Sequence, residues 1–340
     1  MMARHVVYLV LAFMIGALSL FQSSPYMVWA SFELNLFMMS PFLLNREQFA
    51  HPTKGAIIYF GCQSIASVYM IGGVILQDLG WSGGSFFFLS GFFCKLGVFP
   101  FYSWVPRTMV SLSWVSCLVL MTIQKLFPIL CVPAVSLDSL LGWWFAVSLG
   151  ISALVAGSMM FFQTNLKAGL AYSSVLNMSW VLSLKLSGDL GSGFFSVNTL
   201  VAGYLLLYFL VVVSVVSVFM LTQVQTLADV ALFQWGRFRW VSYLGVLSLS
   251  GVPGLMGFLP KAMVVMVVVS FSPILAVALL LSSAFSILWY TTPVAMAGVS
   301  QPAYSEVDLS NGARFSCYMS SWLNLSGIPF LFLLYFFCFF

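Results

Sequence analysis

The chain has 340 residues, of which 62% are hydrophobic and only 6% are charged. Soluble domains carry about 25% charged residues, so this chain has too little polar surface to cover a water-soluble globule of its size. The formal net charge of +4 is too small to argue for nucleic-acid binding. The composition therefore predicts an integral membrane protein whose outer surface contacts the lipid bilayer.

The cysteines, histidines and glycines predict no resident metal or cofactor. The six cysteines include no C-x-x-C pair, and the only histidines are His5 and His51, whereas zinc and iron–sulfur sites need closely spaced ligands. Gly251, Gly254 and Gly257 are spaced by three residues and follow no predicted strand, so they do not form a dinucleotide fingerprint. We expect this chain to bind no cofactor itself.

Long apolar runs follow one another along the whole chain. A membrane-spanning helix needs about 20 mostly apolar residues. The run after Arg4 and His5 is interpreted as a retained helix, because its signal-peptide cleavage site is poor and a second run follows directly. The sequence predicts an all-α membrane protein with about eleven transmembrane helices, at residues 5–21, 25–44, 56–77, 83–105, 111–134, 140–161, 167–185, 195–222, 240–269, 272–295 and 314–339.

The fourth and ninth runs contain helix-breaking residues. Gly97 and Pro100 interrupt the fourth, and Pro253 and Pro260 with three glycines interrupt the ninth. Two breaks five runs apart predict two inverted five-helix repeats with one added C-terminal helix, because an odd repeat length reverses the orientation of the second unit. The predicted units are residues 1–135, 136–296 and 297–340.

The loop charges predict the orientation. Let side A be the membrane face that carries the N-terminus and side B the opposite face. The loops on side A then hold eight basic residues, whereas those on side B hold only Lys185. Basic loops face the cytoplasm or the mitochondrial matrix. The loop 301–313 should lie on side A, and Glu306, Asp308 and Arg314 are predicted to be solvated charges or a subunit contact. The basic residues assigned to side A are Arg4, Arg46, Lys54, Arg107, Lys167, Arg237, Arg239 and Arg314.

Four charged residues fall inside the apolar runs: Glu33, Lys95, Lys125 and Lys261. Each costs roughly 2.5–3.5 kcal/mol at the bilayer centre, so their presence points to proton or cation movement. Burial disfavours the charged form of a lysine, and a nearby carboxylate favours it. We therefore expect Glu33 and Lys95 to act as a switchable pair, Lys125 as a central relay and Lys261 as the last station. The alternative is that these charges only fix helix packing.

Uncharged polar residues accompany the lysines along the same runs. Through bound water they could conduct protons, although each one alone is more often a helix–helix hydrogen bond. These residues are Asn35, Gln63, Ser64, Ser67, Gln124, Tyr172, Ser173, Ser174 and Asn177.

Five motifs in order resemble the antiporter-like membrane-arm subunits of respiratory complex I, the family that includes chain 2 of the mitochondrial NADH–ubiquinone oxidoreductase. The resemblance covers essentially the whole chain. The motifs are Trp29–Asn35 (WASFELN), Phe92–Pro106 (FFCKLGVFPFYSWVP), Ile123–Pro128 (IQKLFP), Leu170–Ser174 (LAYSS) and Gly257–Lys261 (GFLPK).

The resemblance implies a core subunit that translocates protons across the inner mitochondrial membrane, coupled to electron transfer from NADH to ubiquinone. It implies that Glu33, Lys95, Lys125 and Lys261 form the proton path, and that the N-terminus faces the matrix. The chain would be part of an H⁺-translocating NADH:ubiquinone reductase without a redox site of its own. The other membrane-arm subunits would be its partners, and NADH and ubiquinone would be used by the whole complex.

Three residues depart from the family pattern. The family often has His at the position of Asn177 and at that of Tyr102, and Glu at that of Arg107, so the roles of these positions are open. The residues also leave open whether the ion is H⁺ or Na⁺. Two alternative functions are a stand-alone cation/proton antiporter and a structural assembly subunit without its own proton path.

Overall fold

The structure is a computed structural model that describes residues 2–44, 52–137, 139–187, 196–232 and 236–299, with residues 319, 321, 322, 324 and 325. This part of the chain is helical throughout and contains no β-strand. Its helices are α1 (Met2–Leu18), α2 (Pro25–Leu43), α3 (Pro52–Asp78), α4 (Gly84–Leu96), α5 (Trp104–Ser111), α6 (Trp114–Met121), α7 (Ile123–Cys131), α8 (Leu140–Phe161), α9 (Leu166–Leu184), α10 (Val197–Thr222), α11 (Leu227–Leu232), α12 (Gly236–Ser250), α13 (Phe258–Phe271) and α14 (Pro273–Val299).

The predicted all-α class is confirmed. Each of the first ten predicted spans contains helix, whereas α11 and most of α5 lie between predicted spans. Within the described ranges, five helical stretches are long and apolar enough to cross a membrane, and the chain is an integral membrane protein. The eleventh predicted span and the loop 301–313 lie almost entirely outside the described residues. The five stretches are Pro52–Asp78, Trp114–Cys131, Leu140–Phe161, Val197–Thr222 and Pro273–Pro293.

Both predicted helix breaks are present. α4 ends at Leu96 because Gly97 adopts a left-handed conformation with φ 73°, which suits glycine and not other residues. The amide of Val98 then bonds back to the carbonyl of Phe93 at 2.9 Å, closing the helix end. α12 ends in the same way before Gly251, whose φ is 82°.

A third interruption was not predicted. The fifth predicted span divides into α6 and α7 at Thr122, whose φ and ψ are −111° and −82°. Pro128 lacks an amide hydrogen, and its ring crowds the preceding turn. The hydroxyl of Thr122 also donates to the carbonyl of Leu118 at 2.7 Å, which competes with regular helix bonding. The span therefore bends three residues before Lys125.

α9 lies at the centre of the bundle. Every residue of α9 except Tyr172 is buried, and the helix packs against α5, α8, α10 and α13. The outer helices expose aliphatic side chains such as Ile57, Leu206 and Val277, as expected for surfaces that face lipid. α9 thus brings its side chains into contact with both halves of the chain.

Candidate functional site

The first lysine, Lys95, lies in the last turn of α4 and is 7% exposed. Its ammonium nitrogen lies 5.3 Å from the centre of the Phe32 ring, a cation–π contact. The Nε2 of Gln63 donates to its backbone carbonyl at 3.2 Å. Glu33 is half-buried on the neighbouring α2 and its charge acts on Lys95, so the structure brings this predicted pair near each other.

The second lysine, Lys125, is 4% exposed and lies on α7 directly after the bend at Thr122. Its Nζ donates to the hydroxyl of Ser174 at 2.9 Å. That hydroxyl donates in turn to the carbonyl of Ala171 at 2.7 Å. The central lysine is therefore held by a neutral oxygen of α9.

A small polar cavity connects these two lysines. Its volume is about 20 Å³, enough for one water molecule, which needs roughly 10–15 Å³ and polar partners. Beside it, Gln124 donates to Asn35 at 3.1 Å and accepts from Tyr59 at 3.3 Å. The polar side chains that line it are Asn35, Tyr59, Gln63, Lys95, Gln124 and Lys125. Lys95 and Lys125 thus meet at one site, as a relay requires.

The third lysine, Lys261, is 6% exposed and lies in the first turn of α13. Its Nζ donates to the backbone carbonyl of Ser250, the last residue of α12, at 2.6 Å. The C-terminal carbonyls of a helix carry partial negative charge and favour a cation. The ammonium also lies 5.9 Å from the centre of the Trp180 ring. Lys261 is therefore seated inside the second helix break.

α9 lies between Lys125 and Lys261, because its Ser174 contacts Lys125 and its Trp180 contacts Lys261. Ser174 and Trp180 are six positions apart, or roughly 9 Å along the helix. Asn177 lies between them: its Nδ2 donates to the carbonyl of Ser173 at 2.8 Å, and its Oδ1 accepts from Tyr204 at 3.0 Å. A hydrogen-bonded polar group therefore occupies the interval between the two lysines.

Sequence analysis missed the tyrosines of this region. Tyr204 and Tyr208 lie one turn apart on α10, and Tyr204 and Tyr290 of α14 both act electrostatically on Tyr208. All three are buried. The available signal was their i, i+4 spacing on α10, which places two phenol groups on one face of an apolar helix.

Two lysines that we assigned to loop charges at the ends of the seventh span, Lys167 and Lys185, have buried side chains. Lys167 is 8% exposed; its Nζ donates to the carbonyl of Leu112 at 2.6 Å and lies 5.2 Å from the Trp114 ring centre. Lys185 is 2% exposed and donates to Asn198 at 2.8 Å. Both sit at the ends of α9, where long side chains reach polar partners that the sequence does not reveal. The side chains of the other basic residues assigned to side A, apart from exposed Lys54 and Arg107, lie outside the described residues.

Comparison with known proteins assigns the chain to a family. A family model described as NADH:quinone oxidoreductase/Mrp antiporter, TM, matches residues 7–286. The chain belongs to this family. It is 28% identical to NADH-ubiquinone oxidoreductase chain 2 of Locusta migratoria (73% of this chain, 72% of that protein) and 30% identical to that of Rhynchonycteris naso (70% and 69%).

Solved structures share the fold of this chain at low sequence identity. A chain of respiratory complex I from Thermus thermophilus superposes with a TM-score of 0.79 at 19% identity, covering 96% of this chain and 78% of that one. A chain of the Mrp complex from Dietzia sp. DQ12-45-1b gives 0.67 at 16% identity, with 82% and 57% covered.

The three departures from the family pattern fall in two places. Arg107 is exposed and Tyr102 half-buried, and both act electrostatically on Tyr172 of α9. Asn177 instead lies in the interval between Lys125 and Lys261. Only Asn177 therefore lies among the groups that connect the lysines.

Proposed function

We propose that this chain is a core membrane-arm subunit of respiratory complex I and that it carries protons across the inner mitochondrial membrane. In this proposal electrons pass from NADH to ubiquinone in other subunits, and this chain binds neither molecule. Its membership of the NADH:quinone oxidoreductase/Mrp antiporter family and its relatives among NADH-ubiquinone oxidoreductase chains 2 support the assignment.

The observation that carries the proposal is the kind of acceptor that holds the buried lysines. Lys125 donates to a hydroxyl and Lys261 to a backbone carbonyl. Either oxygen accepts a hydrogen bond from an ammonium or from a neutral amine, because both forms of the lysine retain N–H groups. A carboxylate partner would instead hold the lysine in its charged form. These neutral acceptors allow each lysine to gain and lose a proton without leaving its position.

The proposed path runs from Lys95 through the polar cavity to Lys125, and from there past α9 to Lys261. Glu33 stabilises the charged form of Lys95, so a change in their separation would release or bind a proton. An amide does not titrate, so Asn177 would orient Tyr204 while hydroxyls and water carry the proton. We propose H⁺ as the ion because the stations of the path are lysines, whose amines bind and release protons and whose charged form repels a metal cation.

The proposed topology has eleven spans, with inverted repeats at residues 1–135 and 136–296 and an added helix in 297–340. The N-terminus would face the matrix, as the distribution of basic residues predicts. Other membrane-arm subunits would cover part of the outer surface.

The test replaces Lys125 by Met in the intact complex reconstituted into vesicles. Met retains an apolar stem of similar length, so assembly should be unchanged. Protons pumped per NADH should fall by about tenfold or more, as for loss of a proton-transferring side chain. Lys125→Arg should also impair pumping, since Arg keeps its charge and does not deprotonate readily.

Lys54→Met is the matched control, because Lys54 is exposed at the start of α3 and the chemical change is the same. It should leave pumping unchanged. Normal pumping by an assembled Lys125→Met complex would refute the relay and favour a structural subunit without its own proton path.

A second candidate function is a stand-alone cation/proton antiporter, which the fold similarity to the Mrp complex favours. Purification of the native protein separates the two candidates. A subunit of complex I copurifies with NADH-oxidising activity, whereas an independent antiporter does not.

A further inference from the structure

The break that holds Lys261 is contacted by a residue far along the chain, Asn324. Asn324 is 1% exposed, while its neighbours Trp322 and Leu325 are exposed. Its backbone carbonyl accepts from the amide of Met256, inside the break between α12 and α13, at 3.2 Å. The Asn324 side chain therefore lies inside the bundle, whereas Trp322 and Leu325 lie at its surface.

The Asn324 side chain joins two further helices. Its Oδ1 accepts from the hydroxyl of Ser248, in the last turn of α12, at 2.6 Å. Its Nδ2 donates to the hydroxyl of Ser214 on α10 at 3.2 Å. Three hydrogen bonds from one buried residue thus fix α10, the end of α12 and the break relative to one another, and a buried amide that loses such partners is costly.

The same short segment of α12 presents the oxygen that binds Lys261. Ser248 bonds to Asn324 through its side chain, and the carbonyl of Ser250, two residues later, accepts from Lys261 at 2.6 Å. The backbone is tightly packed here, since a Cβ on Gly257 would lie only 1.7 Å from the carbonyl oxygen of Ser248. Because Ser248 and Ser250 share the last turn of α12, a backbone shift at Ser248 would also displace the carbonyl of Ser250.

We propose that Asn324 is a positioning residue for the Lys261 proton station. It holds the end of α12 so that the Ser250 carbonyl stays within hydrogen-bond distance of the ammonium. This inference rests on the proposed function, because it assigns to Asn324 an effect on proton transfer through Lys261. It also gives the C-terminal segment a role in the proton path of the second repeat.

The test is Asn324→Leu in the intact complex in vesicles, with proton pumping measured across a pH range. Leu is similar in size and lacks both polar groups, so α12 loses its lateral tie. Pumping per NADH should fall about fivefold, the effect of one net hydrogen bond on an equilibrium. The pH profile should move by about 0.7 unit toward lower pH, because the ammonium loses a fixed acceptor for its charged form. Ser248→Ala removes the same contact from the other side and should move the profile in the same direction.

Leu325→Ala is the control, because it shortens an exposed side chain next to Asn324 and leaves the hydrogen bonds of Asn324 in place. A merely structural tie would lower the amount of assembled complex and leave the pH profile unchanged, and that result would overturn the inference. Normal pumping by both Asn324→Leu and Ser248→Ala would also overturn it. Lys261→Met in the same assay distinguishes failure of this inference from failure of the proposed function. Normal pumping by Lys261→Met refutes the proposed function itself.

Discussion

The two helix breaks each hold a buried lysine, but they hold it differently. Both ammonium groups lie near an aromatic ring. Lys95 precedes its break, has Glu33 nearby and shares a polar cavity with Lys125. Lys261 follows its break and donates to the terminal carbonyl of α12. The first site is adjustable through a side-chain charge, whereas the second is set by fixed backbone.

The same sequence pattern, a lysine beside a Gly/Pro break, therefore occurs in two different electrostatic environments. A carboxylate can move by rotating its own side chain, so it can switch the proton affinity of a lysine. A backbone carbonyl moves only with its helix. We therefore expect the first break to respond to changes in charge and the second to changes in backbone geometry.

The largest predicted effect compares Lys95→Met with Lys261→Met. Each should lower proton pumping by about tenfold or more, because the proposed path passes through both lysines and each variant removes one proton-transferring group from it. Lys95→Met should also reduce the amount of assembled complex, because Glu33 loses its neighbouring cation inside the membrane. Quantitative native gels and proton uptake by vesicles measure the two quantities.

Adding Glu33→Gln to Lys95→Met supplies the control. The double variant should recover assembly but not pumping. Equal assembly of Lys95→Met and Lys261→Met would mean that Glu33 does not distinguish the two breaks.

An intermediate effect is expected from alanine at Gly97 and Gly251, the left-handed glycines that follow α4 and α12. A left-handed conformation costs a non-glycine residue about 1–2 kcal/mol. At Gly251 the new Cβ would also lie 2.8 Å from Cδ of Lys261, whereas at Gly97 it would lie 2.3 Å from Cγ2 of Val105. Gly251→Ala should therefore lower pumping several-fold, and Gly97→Ala should mainly lower thermal stability.

Gly72→Ala provides the reference, because a Cβ there meets no atom within 4 Å. It lies in α3, where alanine favours the helix. If Gly97→Ala and Gly251→Ala gave the same ratio of pumping loss to stability loss, the contribution of Lys261 to pumping would not depend on the backbone geometry of the second break.

The smallest predicted effect concerns the link between the two halves. Tyr204→Phe removes the hydroxyl that donates to Asn177 at 3.0 Å. Pumping should fall about two- to fivefold, in line with the loss of one hydrogen bond. Tyr69→Phe makes the same change on α3, where the ring stacks with Phe87, and should have no effect. Unchanged pumping in Tyr204→Phe would exclude this tyrosine from the path.

The sequence was sufficient to predict the features that depend on local chemistry. Gly97 and the glycines and prolines of 251–260 predicted both breaks, and the charges inside apolar runs predicted buried lysines. It did not predict the bend at Thr122, because proline effects several residues away and a hydroxyl–carbonyl bond decide it together. It did not reveal that Lys167 and Lys185 are buried, because their partners Leu112 and Asn198 lie in other parts of the bundle. The tyrosine contacts of α9 were missed for the same reason, since they depend on how distant segments pack.

α9 is surrounded by protein and yet lies within a membrane bundle, and this has a consequence for biogenesis. It carries four serines, Asn177 and Lys167 in 19 residues, and it is not among the five stretches that qualify as membrane-spanning by hydropathy. A helix this polar gains little from contact with hydrocarbon on its own. Its insertion should therefore depend on neighbours such as α8 and α10, so that the most buried helix of the bundle becomes stable in the membrane only once the surrounding helices have assembled.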